Sequence, residues 1–226
     1  MSNPVSSPHT TEQPDVIDLL AGIQPGDPLD IVRRHRPQAR THAQESYRAL
    51  FVPMAPVPGT LALADRLAVA AFVAGLHQQP DAAAFYAAAL VAQDAGAGLA
   101  QAISAEVSRG ATQGPYGHYP AGPLSSENTD GIGYSVAEAR RTVLGARLSA
   151  GLTHAHLLTF HPRDASPEAL QALLDAGWAV TDIVILSQLV AFLLFQIRVV
   201  VGLRTLGAHP APAIPSSTPR TAEAQP

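Results

Sequence analysis

Between Thr181 and Leu206 the chain reads TDIVILSQLVAFLLFQIRVVVGLRTL, followed by Gly207. As a helix rising ~1.5 Å per residue it would span roughly 37 Å. Thr181 fits the N-cap, Asp182 the first turn, Arg198 and Arg204 the far end, and Gly207 a left-handed stop. Apolar side chains fall on almost every face, so one core stripe does not explain the pattern. A helix of this kind is buried on all sides or lies in lipid. Ile183 to Leu203 is long enough for a hydrocarbon core of ~30 Å. Ser187, Gln188, Gln196 and Arg198 interrupt it, however, and an arginine well inside a span costs ~2.5–3.5 kcal/mol on insertion scales. No second segment of this kind exists, and no basic-flanked signal pattern opens the chain. The stretch is therefore expected to be the central helix of an all-α protein, buried partly by other subunits, with no membrane involved.

Hydrophobic residues make up 47% of the 226, enough for one sizeable core or two small ones. The net charge is -4, which gives a nucleic-acid role no electrostatic support. Every basic residue is arginine, which reads as coding bias alongside the Ala, Gly and Pro richness. There is no cysteine. That removes disulfides, thiolate nucleophiles, iron–sulfur clusters and Cys-type zinc sites together. With no signal or anchor motif in view, the default compartment is cytoplasmic.

Punctuation by Pro, Gly and capping residues divides the rest into helices. Residues 1–13 are polar, carry Pro4 and Pro8, and are expected to be a disordered leader. A short helix follows over Pro14 to Leu20, with Val16, Ile17, Leu19 and Leu20 as its apolar side and Gly22, Pro25 and Gly26 ending it. Asp27-Pro28 starts the next, as N-cap and first helical position, and Pro37 stops it after Arg36. Gln38 to Phe51 reads as amphipathic, with Tyr47, Leu50 and Phe51 inward. Arg33, Arg34, Arg36 and Arg40 form a basic run, read as a solvated helix surface in preference to an anion site. Val52 to Gly59 holds Pro53, Pro56 and Pro58 and must be a connector. Thr60 then caps a helix through His77, Pro80-Asp81 opens an alanine-rich one, and a third covers Gly98 to Ser108 up to Gly110.

Gly110 to Gly133 is the one long irregular segment, of the kind that forms lids, binding loops or arms. Gly131-Ile132-Gly133 follows no strand and lacks a third glycine, so a dinucleotide fingerprint fails. Ser135-Val136-Ala137-Glu138 is a capping-box pattern that starts a long helix from Val136 to Phe160, ended by Pro162. Ser166-Pro167-Glu168 starts a short one closed by Gly177. Beyond Gly207 the Pro/Ala/Ser/Thr-rich end, 208–226, is expected to be a disordered tail. No convincing strand occurs, so the class is all-α.

The second half carries a family resemblance. The residues are LLDAGW (Leu173 to Trp178) followed by DIVILSQLVAFLLFQIRVVVGL (Asp182 to Leu203), preceded by LLTFHPRDAS (Leu157 to Ser166). Within them Ala176, Gly177, Ile183, Ala191, Phe192, Phe195, Arg198, Gly202 and Leu203 carry the pattern. This resembles the alkylhydroperoxidase D / carboxymuconolactone decarboxylase superfamily, in its peroxidase-related members of unassigned function. The resemblance implies two related helical repeats within 14–207: a first over about 60–109, a loop over 110–134, and a second over about 135–207. It also implies a homo-oligomer and no bound cofactor. The family's peroxidatic members carry C-x-x-C and a histidine on the second helix of the first repeat. A helix N-terminus and a nearby base there activate the attacking thiol, and a second thiol resolves the sulfenic acid. The corresponding region, His77 to Tyr86, places Gln79 and Ala82 near the thiol positions and Phe85 or Tyr86 near the histidine. Without sulfur of that kind, thiol peroxidase chemistry cannot run.

Other groups remain as candidates. His154, His156 and His161 look like a metal set, but only His154 and His161, seven apart, share a helical face; His156 points elsewhere. His118 is a further candidate ligand from the loop. Asp65 and Arg66 begin the first-repeat helix. Arg198, inside an apolar helix, needs a carboxylate or several carbonyls, with Asp65, Asp81, Asp182 and Glu106 as candidate partners, and reads as a structural ion pair in preference to a catalytic group. Tyr116, His118 and Tyr119 line a pocket mouth or dock the loop on a neighbouring subunit. The expected role is binding a small apolar molecule or a partner, without thiol peroxidase activity. The alternative is a peroxidase-related or decarboxylase-like enzyme using a His-based site.

Overall fold

The computed structural model of the protein describes residues 14–52, 61–93 and 96–209. The expected leader over 1–13, the connector prolines, the cap at Thr60 and the tail from 210 onward lie outside them. Among the described residues the chain is all-helical, with nine α-helices: α1 (Val16–Ala21), α2 (Pro28–Arg34), α3 (Pro37–Phe51), α4 (Leu63–Leu76), α5 (Pro80–Val91), α6 (Gly96–Gly110), α7 (Glu138–Phe160), α8 (Pro167–Asp175) and α9 (Val180–Ala208).

Most boundaries follow the punctuation, with four corrections. Pro37 does not merely stop a helix: α2 ends at Arg34 and Pro37 is the first residue of α3, where its fixed φ is welcome. The capping box at Ser135 does not form; α7 begins at Glu138 behind Ala137. Thr181 is not the N-cap of α9, which starts one residue earlier behind Ala179. Gly207 is inside α9 rather than a left-handed stop, and it faces Leu29, whose Cδ1 would lie 3.1 Å from an added Cβ.

The centre of the molecule is α4. From Arg66 to Ala74 every residue is buried, and α5, α6, α7 and α9 all pack on it. The all-round apolar pattern attributed to a central α9 thus belongs to the shorter helix. In α9 one face, through Ile183, Leu186, Val190, Leu193, Ile197 and Val200, is buried against α1, α4 and α7. An adjoining side exposes Val180, Val184, Phe195, Val201 and Leu206. At 100° per residue these five fall within roughly a 140° arc. α9 is long and apolar enough to cross a bilayer, yet half of its most apolar window is buried inside this chain. Two polar side chains of α9 are buried: Asp182 near its start, and Gln196, whose Oε1 accepts from the Tyr86 hydroxyl at 2.6 Å.

The basic run divides: Arg34 and Arg36 are exposed, as expected of a solvated face, whereas Arg33 and Arg40 turn inward to carboxylates. Asp15 caps α1 and pairs with Arg33 at 2.7 Å; Asp18 pairs with Arg33 and Arg40. Asp30 pairs with Arg34 at 2.5 Å and Arg40 at 3.0 Å. Arg33 is 8% exposed. The Asp30 carboxyl is pushed well below the usual range by the Gly26 N–H, then by Arg34. The first three helices are tied by alternating charges, from Arg40 back to Asp18 across 22 residues and to Asp15 at 3.7 Å.

Candidate functional site

Helices α7 and α8 enclose a groove of about 780 Å³. Its far wall is set by local chemistry. Ser166 Oγ accepts the Ala169 N–H at 3.3 Å, so α8 starts at Pro167. Gly177, at φ 87, ends it: Trp178 N–H reaches Leu173 O and Gly177 N–H reaches Leu174 O, the paired bonds of a left-handed helix stop. That stop turns Trp178 back onto α7. Its Nε1 donates to Arg147 O at 2.8 Å, and its ring lies so close to Gly151 that a Cβ there would meet Cζ2 at 2.5 Å. The Arg147 guanidinium covers the indole at 4.5 Å. The end of α8 is pinned, and the groove is the space left between the two helices.

The walls are mostly apolar: Ala146, Ala150 and Leu157 from α7, and Ala169, Ala172 and Leu173 from α8. Two buried polar side chains line it from α7. Ser149 is 4% exposed and His154 is 6% exposed. Ser149 Oγ has no hydrogen-bond partner among the described residues. Burial holds the His154 imidazole below its ordinary range, so it is neutral at pH 7. Pockets of several hundred Å³ with apolar walls and a few polar atoms are the usual form of small-molecule sites.

The other histidines go elsewhere. His156 is buried, stacked on Tyr134 at 4.5 Å, with Nε2 2.9 Å from Gly110 O. It is His156, not His154, that comes near His161, at 6.1 Å between ring centres. His154 and His161 do not share a helical face, because His161 has left the helix, at φ -125. Its Nδ1 lies 3.0 Å from Asp164 Oδ2 and its Nε2 3.0 Å from Ile132 O. His118 Nε2 lies 3.1 Å from Asp130, and its backbone N–H donates to Asp164. Tyr116 N–H donates to Phe160 O, and Arg163 stacks on Tyr119 at 4.5 Å. The loop therefore docks on the end of α7 in its own chain, away from the α7–α8 groove. No group of three or more His, Cys, Asp or Glu among the described residues is placed to hold a metal ion.

Arg198 is exposed rather than buried, and none of its expected partners meets it. Asp81 pairs with Arg204 at 2.7 Å, and Glu106 with Arg109 at 2.6 Å. Asp65 and Asp182 share Arg147, at 2.9 and 2.6 Å. Arg66 binds the Leu61 and Leu50 carbonyls. Burial raises the Asp65 carboxyl, and Arg147 pulls it back. In the region 77–86, Ala82 and Tyr86 are core residues, and the groove lies elsewhere. Ser149 and Trp178 were the residues sequence reasoning missed as a site. No sequence signal marked them, since a glycine inside a helical pattern, such as Gly145, gives no warning of a break.

No protein-family profile, curated protein or solved structure matches this chain.

Proposed function

We propose that this is a thiol-free, non-peroxidatic helical protein of the alkylhydroperoxidase D / carboxymuconolactone decarboxylase type that binds a small, largely apolar molecule in the α7–α8 groove. The observation that carries the binding reading is the groove itself: apolar walls of the right size with two buried polar side chains on one of them. The sequence pattern over 157–203 supports the family type, and the lack of cysteine argues against the peroxidatic chemistry of that type. We further propose assembly as a homo-oligomer through the exposed apolar side of α9.

Trp178 is the only tryptophan and, although outside the groove lining, is hydrogen-bonded to Leu173, which lines it, so its emission is a nearby readout. Titration with naphthalene-sized apolar compounds is expected to change it saturably. Ala150→Phe, which fills the groove from α7, is expected to abolish the response while the helical circular dichroism is retained. A response untouched by Ala150→Phe places binding elsewhere and ends this reading.

A further inference from the structure

The serine and threonine hydroxyls of the α-helices that are not exposed behave alike, with one exception. Thr153 Oγ1 donates to Ser149 O at 2.9 Å, Thr159 Oγ1 to Ala155 O at 2.7 Å, and Ser187 Oγ to Ile183 O at 2.9 Å. Each uses the carbonyl four residues earlier. Ser149 is buried, more so than Thr153 or Ser187, but its Oγ is unpaired among the described residues. The carbonyl four residues before it belongs to Gly145, where α7 leaves helical geometry at φ 72 and ψ 163. The break removes the local acceptor. It leaves a hydroxyl, able both to donate and to accept, on a residue of the groove wall; its Oγ is itself closed off from solvent, and rotation about χ1 is what brings it to a ligand.

His154 stands five residues on, ~7.5 Å along the axis and ~140° around it, at the other edge of the same wall. As a neutral imidazole it offers one donor and one acceptor. The charges of the groove lie at its rim and are paired: Arg141 with Glu138 at 3.2 Å, and Asp175 Oδ1 with the Gln171 amide at 2.8 Å. A carboxylate placed between Ser149 and His154 would find no cation there, and burying it would be costly. From this we infer that the groove takes an uncharged molecule with an apolar body and a hydroxyl or carbonyl group, hydrogen-bonded to Ser149 Oγ with His154 as the second polar contact. The inference rests on the groove being the binding site and adds the chemical class of its ligand.

Calorimetric titration of the whole chain with 2-naphthol, 2-methylnaphthalene and 2-naphthoate tests it, since the three share a body and differ in one substituent. The expected result is 2-naphthol tightest, by about 3- to 10-fold over 2-methylnaphthalene, the size of one neutral hydrogen bond. Ser149→Ala is expected to erase that margin, leave 2-methylnaphthalene unchanged, and leave Tm unchanged or raised, because it deletes an unpaired buried group. Ser149→Thr is expected to keep the preference. If 2-methylnaphthalene binds equally well, or Ser149→Ala leaves 2-naphthol untouched, the hydroxyl inference falls while the groove stands. If 2-naphthoate binds tightest, the uncharged class is wrong. If none of the three binds, the groove reading falls and takes this inference with it.

Discussion

His77, His154 and His156 are each held below the ordinary histidine range, with burial the leading cause in all three. An unfolded histidine titrates near ~6.5. Between that value and the lower folded one, the unfolded chain binds more protons than the folded chain. Stability is therefore fully present above about pH 6.5 and is lost as the pH falls below it. Melting temperatures followed from pH 7.5 to 5.5 are expected to decline; a level or rising profile contradicts the assignment. His77 gives the cleanest variant, because its Nε2 is buried with no partner among the described residues. His77→Leu is expected to make the decline shallower and to cost nothing at pH 7.5. None of these environments was legible beforehand. Nine histidines in a sequence suggest a metal, whereas the fold distributes these three among a helix end, a groove wall and an aromatic stack.

At the scale of elements, starts and stops set by Asp-Pro, Ser-Pro and a helix-ending glycine were readable, because each acts within a turn. The Gly145 break was not, since nothing in GARLS distinguishes a tolerated helical glycine from one at positive φ. At φ 72 and ψ 163 that residue occupies a region essentially closed to side chains, with open space around its Cα. Gly145→Ala is expected to destabilise the protein by about 1–3 kcal/mol for backbone strain alone, seen in chemical denaturation. A neutral result would mean that α7 straightens, in which case Ser149 regains its acceptor. Arg147 ties the starts of α4 and α9 through Asp65 and Asp182 and covers Trp178. It is about one-third exposed, so Arg147→Ala is expected to cost about 1–3 kcal/mol, less than for a fully buried pair, with a shift in Trp178 emission. An unchanged denaturation midpoint would show that the bridge is not stabilising.

For the molecule as a whole, the exposed side of α9 and the missing thiols make two further predictions. Light scattering is expected to give a defined oligomer, and Phe195→Glu, at an exposed apolar position, to lower its mass without loss of helix. A monomeric parent protein would contradict the assembly proposal. Hydrogen peroxide and an organic hydroperoxide are expected to be consumed no faster than in buffer by metal-free protein; sustained turnover would overturn the non-peroxidatic reading.

The amino-acid sequence alone determined that the described chain would be helical, where most helices begin and end, and that sulfur chemistry was closed to it. Those properties depend on residue identity and on neighbours within a turn or two. Tertiary structure decided which helix lies at the centre, which carboxylate each arginine meets, and which buried hydroxyl lacks an acceptor. Burial and ion pairing join residues far apart in the chain: Asp65 reaches Arg147 across 82 positions and Tyr86 reaches Gln196 across 110. Helical periodicity in α9 could not show that one apolar side would be left uncovered, because that depends on how many other helices reach it.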